Sequence, residues 1–140
     1  MIHYGGYREG AESAADAARE AGADTETIGA DLSKLDGIEA FVARVREIEP
    51  DILVNNAGSL VKRCPLADFT HDLFDTVMNL NVKSCWFIAQ AAAPAMIRRK
   101  SGSIINVSSV AARNGGGPGA TIFAAAKTPI AENTNGLAQE

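Results

Sequence analysis

Ser108 and Ser109, a run of glycines from Gly115 to Gly119, and Lys127 follow one another in the stretch SSVAARNGGGPGATIFAAAK. A serine hydroxyl can polarise a carbonyl or alcohol oxygen, glycines let a ligand approach the backbone, and a lysine can grip hydroxyls or tune a neighbouring acid. Taken singly, a strand-end serine reads as a turn residue and a helix lysine as solvated. Phe123 stands four residues before Lys127, so a helix places both on one face. Proton transfer would want a hydroxyl at that point, and a phenyl ring can neither donate nor accept a proton. Thr121 and Thr128 point to other sides of such a helix.

Two further stretches carry polar groups of similar promise. In GADLSK, Asp31 falls just past a strand end, where its carboxylate could accept hydrogen bonds from an adenine amine or cap the next helix. In NNAG, Asn55 to Gly58, adjacent amides and a glycine let the backbone approach a flat ligand, and the same residues also read as an Asn-rich turn.

The elements that must position these groups alternate between short β-prone runs and longer helical ones, which reads as α/β with a parallel sheet. A strand at Ile2 to Tyr4 leads through Gly5-Gly6 to a helix over roughly Gly10 to Ala21, closed by Gly22. A strand near Thr25 to Gly29 precedes a helix from about Leu35 to Ile48, in which Ile38, Phe41, Val42 and Val45 recur at helical spacing. DILVNNAG predicts a strand of consecutive apolar residues buried on both faces. A long helical region from about His71 to Lys100 leads to a fourth strand at Ser103 to Val107, and a final helix begins near Pro118. Ligands of such open sheets sit beyond the carboxyl ends of the strands, where all three polar stretches fall.

Bulk properties narrow the partners. The chain has 140 residues, enough for one domain, with 46% hydrophobic and 21% charged residues. Its net charge of -4 offers no general attraction to phosphate backbones or anionic lipid, so neither nucleic acid nor membrane is an expected partner. The most apolar stretch, Cys85 to Ile97, is interrupted by Gln90 and Pro94 and falls short of the roughly 20 apolar residues of a membrane span. The start MIHYGG reads as a strand rather than a signal peptide, and the two cysteines, Cys64 and Cys85, make neither a disulfide framework nor a metal cluster. A reducing cytoplasm suits that usage. His3 and His71 have no metal-like partner, and no metal is expected. Trp86 and Phe87 are expected in the core or at a subunit contact, and the basic run Arg98 to Lys100 ends a helix where cations oppose the macrodipole.

Read in order, GADLS, LVNNAG, NLNVKSCWF, GSIINVSS and an aromatic-x-x-x-Lys resemble the short-chain dehydrogenase/reductase family along the whole chain. The likeness is nearest to members of the 3-oxoacyl-carrier-protein reductase and glucose-dehydrogenase kind. It implies a partial Rossmann-type, doubly wound parallel sheet with flanking helices over residues 1–140. It also implies an NAD(P)-dependent oxidoreductase that moves hydride between a nicotinamide and a small-molecule carbonyl or secondary alcohol.

The family roles then fall on particular residues. Asp31, with Leu32 beside it, matches the acidic residue that holds the adenine, and Asn55, Ala57 and Gly58 match the turn that lines the cofactor site. Asn81 matches the asparagine that holds a proton-relay water, Ser109 the serine that polarises the substrate, and Lys127 the lysine that binds the nicotinamide ribose. Phe123 occupies the position of the family's general acid/base, a tyrosine. Arg8, with no acid before Glu9, favours NADP, with NAD possible, and equally reads as a solvated residue at a helix start. A homodimer or tetramer through the long and final helices is also implied.

Other departures accompany Phe123. The family's first strand and its Gly-x-x-x-Gly-x-Gly loop are not in this sequence, and neither are the family's later strands. That first strand would lie between the strands at Ile2 and Ile52, so its loss predicts either a sheet that closes up or a gap of roughly 10 Å. Pro129 falls inside the final helix, and Asn133 takes a place on the apolar stripe of Ile130 and Leu137. Two functions are therefore expected in competition, an oxidoreductase and a non-catalytic remnant or packing partner.

Overall fold

A computed structural model describes the backbone of residues 1–137 and the side chains of residues 1–130. The side chains of Asn133 and Leu137 lie outside the described residues. The elements run β1 (Ile2–Tyr4), α1 (Arg8–Glu20), β2 (Thr27–Gly29), α2 (Leu35–Ile48), β3 (Ile52–Asn55), α3 (His71–Met78), α4 (Ser84–Arg99), β4 (Ser103–Asn106), α5 (Ala111–Asn114) and α6 (Thr121–Leu137). A 3₁₀ turn at Leu66–Asp68 lies between β3 and α3, and a π turn at Asn79–Lys83 joins α3 to α4.

Sequence chemistry explains these segments locally. α1 is rich in Ala, Glu and Arg, buries Ala11 and Ala15, and ends where Gly22 takes φ of +90° and its N–H reaches the Arg19 carbonyl at 2.9 Å. α2 buries Ile38, Phe41, Val42 and Val45, the residues at helical spacing. α3 starts at Thr70, whose hydroxyl accepts the Leu73 N–H at 3.2 Å.

The core forms where α2 and α4 pack together. Val45, Ile88, Ala92 and Met96 meet there, and Leu53 of β3 and Ile104 of β4 pack against them. Burying such side chains contributes roughly 1.5–3 kcal/mol each. At the ends of these two helices Arg98 pairs with Glu49 at 2.6 Å, and Arg99 donates to the Pro50 carbonyl at 3.0 Å.

The sheet does not close up. β1 pairs in parallel with β2, and β3 in parallel with β4, as two separate ladders. A cleft of about 850 Å³ lies between them, lined by β1, β3 and the residues after β2. Several contacts tie the first pair to the core: the His3 ring lies 4.7 Å from that of Phe41, Ile28 and Ala30 pack on the core, Arg44 of α2 pairs with Glu26 at 2.9 Å, and the Asn79 amide donates to the Ser33 carbonyl at 3.1 Å.

Several expectations are corrected. β3 is covered on one face only, with Ile52 65% and Val54 54% exposed, because no element among the described residues packs on that side. Of the two places expected for Trp86 and Phe87, the core is excluded, because they lie on the exposed side of α4 while Cys85, Ile88, Ala89 and Ala92 take the inward positions. The helical region from His71 runs unbroken to Arg99 as expected, with the π turn inside it, whereas a short helix, α5, precedes the glycine loop, so the last helix starts at Thr121 and not near Pro118.

α6 continues through Pro129, whose missing N–H leaves the Ala125 carbonyl without its helical donor. Pro129 is exposed, so its ring contributes little packing in return. Pro129→Ala is therefore expected to stabilise the chain by about 1–3 kcal/mol, read as a higher midpoint in thermal unfolding. An unchanged or lower midpoint would contradict the assignment of an interior helical position.

Candidate functional site

The carboxyl ends of β3 and β4 are joined by a pair of amides. Asn55 and Asn106 are register partners, and the Asn55 side-chain N–H donates to Asn106 Oδ1 at 2.9 Å. Asn55 also reaches the Cys85 carbonyl at 3.4 Å, and the Cys85 thiol donates to Asn106 Oδ1 at 3.3 Å. Burial pushes the Cys85 thiol pKa up, so the sulfur stays a neutral donor. Asn106 is a site residue that sequence spacing does not reveal, since its partner is 51 positions away.

Beyond Asn55 the chain turns, with the Asn56 N–H on the Val54 carbonyl at 3.1 Å, and brings Gly58 against two other elements. A Cβ on Gly58 would lie 2.6 Å from Lys127 Nζ and 2.8 Å from Asn81 Oδ1. Only a glycine lets these three segments meet so closely.

Asn81 comes from the π turn and is fully buried. Its amide donates to the Ser59 and Val77 carbonyls, both at 2.9 Å, and its Oδ1 accepts the Ser59 N–H at 3.1 Å. The side chain is thus spent on holding the backbone beside Gly58 in place. A π turn adds a residue to the helical turn, and Asn81 and Cys85, four residues apart, both face inward.

Lys127 is 5% exposed and donates from Nζ to the Val107 carbonyl at 3.1 Å. Among the described residues no carboxylate pairs with it. Burial pulls its pKa below that of a free lysine. Ser108 Oγ donates to the Lys127 carbonyl at 2.8 Å, pinning α6 to the end of β4. Ser109 Oγ accepts the Ala111 N–H at 3.2 Å and keeps its own proton to donate. Phe123 is half-buried one turn before Lys127 on α6.

The glycine loop is fastened to the segment after β3. Gly119, at φ of +72°, offers its carbonyl to the Cys64 N–H at 3.0 Å, and Arg63 donates to the Pro118 carbonyl at 2.7 Å. Arg63 is a second residue that carries no signature in the sequence.

Asp31, Leu32, Asn55, Ala57 and Gly58 all line the cleft. Asp31 does not cap α2, whose N-cap is Lys34; it accepts the Ser33 hydroxyl at 2.6 Å and the Ser33 N–H at 3.1 Å. The Ser33 hydroxyl is the main reason its pKa is lowered, with Lys34 Nζ at 3.7 Å adding to it. Leu32 is buried and serves the core as well as the cleft wall. Arg8 is not in the cleft wall; its exposed side chain pairs with Glu12 at 3.5 Å.

A lysine with a depressed pKa in the folded state opposes folding while it stays charged, and that opposition fades as pH rises through its folded pKa toward the unfolded value. Lys127→Met is accordingly expected to raise stability at pH 7 by about 1 kcal/mol, roughly 3–5 °C in midpoint, with the gain shrinking toward pH 10. Thermal unfolding of both chains at the two pH values checks this, and a variant less stable at pH 7 would refute it. Gly58→Ala is expected to lose about 1–3 kcal/mol in the same assay, because Asn81 cannot yield without releasing Ser59.

A family model described as short chain dehydrogenase matches residues 2–140. The 3-oxoacyl-[acyl-carrier-protein] reductase FabG of Staphylococcus aureus is 32% identical over 141 aligned residues, covering 99% of this chain and 56% of that protein. The 2-dehydro-3-deoxy-D-gluconate 5-dehydrogenase of Escherichia coli is 48% identical over 90 residues, covering 62% of this chain and 35% of that protein. Among solved structures, a short-chain dehydrogenase from Sphingobium yanoikuyae in complex with NADPH superposes with a TM-score of 0.84 at 26% identity, covering 98% of this chain and 54% of the other. An NADH-dependent reductase, A1-R', complexed with NAD, gives 0.78 at 31% identity, over 86% and 53% of the two chains. The chain thus spans about half the length of the relatives it matches. With the match running through nearly every residue, and with a partial Rossmann-type α/β fold, this chain belongs to the short-chain dehydrogenase family.

Proposed function

We propose that this chain forms the central portion of an NAD(P)-dependent oxidoreductase site for a small carbonyl or secondary alcohol, built to bind and orient but lacking its proton-transfer group. The observation that carries this reading is Lys127, a buried ammonium beside Gly58 and Asn81 with a carbonyl for a partner and no carboxylate. Burying such a charge is unfavourable unless acceptors arrive to meet it, and ribose hydroxyls are acceptors of the right kind.

The residues present fit such a cofactor. An added Cβ at Gly5 or Gly6 would meet nothing within 4 Å, so the backbone at the end of β1 is open to a close ligand. Asp31 offers an anionic acceptor for an adenine amine and Leu32 and Ala57 apolar walls in the cleft, and Lys127, which lies outside the cleft lining but against Gly58 of its wall, would be the ribose donor. NADP is the proposed form, with NAD possible, supported by the similar solved structures in complex with NADPH and with NAD.

When bound, the nicotinamide supplies or accepts the hydride. Reduction of a carbonyl needs that hydride on carbon and one proton on oxygen. Ser109, whose hydroxyl proton is not used by its bond from Ala111, would donate a hydrogen bond to the oxygen, and Asn81 fixes the turn at Gly58 and Ser59. Phe123 has no proton to deliver, so the proton must come from water, and the chemistry is slower by the factor a positioned acid contributes, about 10²–10⁴.

That same residue favours a second reading, in which the chain is a non-catalytic packing partner. Trp86, Phe87 and Ile97 are exposed at 54%, 41% and 61%, an apolar surface on α4 that suits a homo-oligomer contact. No helix among the described residues is long and apolar enough to cross a membrane, and both cysteines are free and buried, in keeping with a cytoplasmic setting.

Phe123→Tyr separates the readings. Titration with NADPH should give the same Kd for parent and variant, and ketone reduction followed by NADPH absorbance should rise 10²–10⁴-fold in the variant. Cofactor binding without turnover in either chain would favour the packing partner.

A further inference from the structure

We propose that Arg63 is a positioning residue of the site: it clamps the glycine loop of residues 115–119 to the segment after β3, and through that loop it holds α5 and the Ser109 hydroxyl in place. Its effect on substrate rests on the oxidoreductase reading, whereas the clamp itself does not.

The clamp starts from a strained turn. Val61 takes φ of +63°, an outlier for a β-branched side chain, and around it the Lys62 N–H closes on the Leu60 carbonyl at 2.7 Å. Val61 is 45% exposed, so packing does not account for its conformation. Hydrogen bonds do: the Val61 N–H donates to Ser59 Oγ at 3.0 Å, and Asn81 holds the Ser59 backbone at both its N–H and its carbonyl. Backbone fixed in a sparsely populated conformation by its surroundings points to a local task. Two residues on, one terminal nitrogen of the Arg63 guanidinium donates to the Pro118 carbonyl at 2.7 Å and lies 3.5 Å from the Gly116 carbonyl. Among the described residues no carboxylate pairs with Arg63, so its charge is directed at those two carbonyls.

The loop needs such a hold. Gly115, Gly116, Gly117 and Gly119 all have positive φ, and glycine surrenders more backbone freedom on ordering than any other residue. Besides Arg63, the Cys64 N–H on the Gly119 carbonyl at 3.0 Å ties the loop to this segment. Gly116 is wedged between two helices, since a Cβ there would lie 2.9 Å from Ala120 Cβ and 3.2 Å from Ala111 Cβ. The first turn of α5 is bonded in turn to Ser109, whose Oγ accepts the Ala111 N–H at 3.2 Å and whose carbonyl accepts the Ala112 N–H at 3.1 Å. Arg63, the loop, α5 and Ser109 are therefore one connected unit, and a shift of the loop is passed to the serine hydroxyl. A lysine at position 63 would bring a point charge on a shorter stem and supply only part of this hold.

Amide hydrogen exchange of the full chain, read by NMR, tests the clamp without substrate or cofactor. Arg63→Ala is expected to speed exchange about fivefold or more at Ala111 and Ala120, whose N–H groups bond to Ser109 Oγ and to the Gly117 carbonyl, with Ser103, bonded to Asp51, unchanged. Arg63→Lys should fall between the parent and Arg63→Ala. Unchanged exchange at Ala111 and Ala120, or an equal rise at Ser103, would overturn the proposal. In the Phe123→Tyr chain supplied with NADPH and cyclohexanone, Arg63→Ala should lower kcat/KM about fivefold and leave the NADPH Kd within about twofold, with partial recovery in Arg63→Lys. An unchanged kcat/KM, or equal losses in kcat/KM and in NADPH binding, would overturn the role in positioning Ser109. Absence of turnover in the Phe123→Tyr chain refutes the oxidoreductase reading instead, and the exchange rates alone then decide whether Arg63 holds Ser109.

Discussion

The close approach at Gly58 is the constraint on which the rest of the site depends. Three segments far apart in sequence, the turn after β3, the π turn before α4 and the first turns of α6, meet where a single Cβ would lie within 3 Å of both Lys127 and Asn81. Asn81 spends its whole side chain on Ser59 and Val77, and Lys127 reaches the Val107 carbonyl. Without the glycine these bonds could not form together, and each buried donor left unmet would oppose folding by about 1–3 kcal/mol. The geometry of the polar site and the packing of α6 on β4 are therefore one arrangement.

A second constraint acts on the backbone. Two short parallel ladders, of three and four register pairs, carry the strands, and each leaves one edge toward the same cleft. Parallel pairing between so few residues is weak alone, so the cohesion of the fold comes from α2 on α4 and from the His3–Phe41 ring contact. Ile52, Val54, Ile105 and Val107 stay exposed on the other face of β3 and β4. The site thus sits on a firm helical floor beneath a strand layer with open edges.

Sequence patterning reached some of this and not the rest, for physical reasons. The bounds of α2 are legible because Ile38, Phe41, Val42 and Val45 mark one helical face, and that face is the one buried. The apolar run Ile52 to Val54 reads the same whether one face or two is covered, so the exposure of β3 is invisible without its neighbours. Trp86 and Phe87 look like core residues by type, yet helix phase gives the inward positions to smaller side chains. In the site, the order of motifs points to Asn55, Asn81, Ser109 and Lys127. The Asn55–Asn106 pair, the Arg63 clamp and the π turn depend on non-local hydrogen bonds that no local pattern encodes. Asp31 was legible as a polar group at a strand end, but its choice of Ser33 over the helix terminus is a matter of backbone path.

Phe123 and Lys127 are held by separate interactions although they share one helix. A phenol and a phenyl ring differ by one hydroxyl, so a half-buried phenyl ring keeps the packing of α6 without a polar atom to satisfy. Lys127 keeps its place by different forces: the Ser108 hydroxyl on its carbonyl, the Val107 carbonyl on its ammonium, and the space left by Gly58. None of these contacts involves the residue at position 123. The phenyl ring at 123 leaves the Lys127 ammonium where it is, because the backbone and not the aromatic ring positions the lysine. A hydroxyl at position 123 would therefore add a polar atom to α6 without moving the lysine.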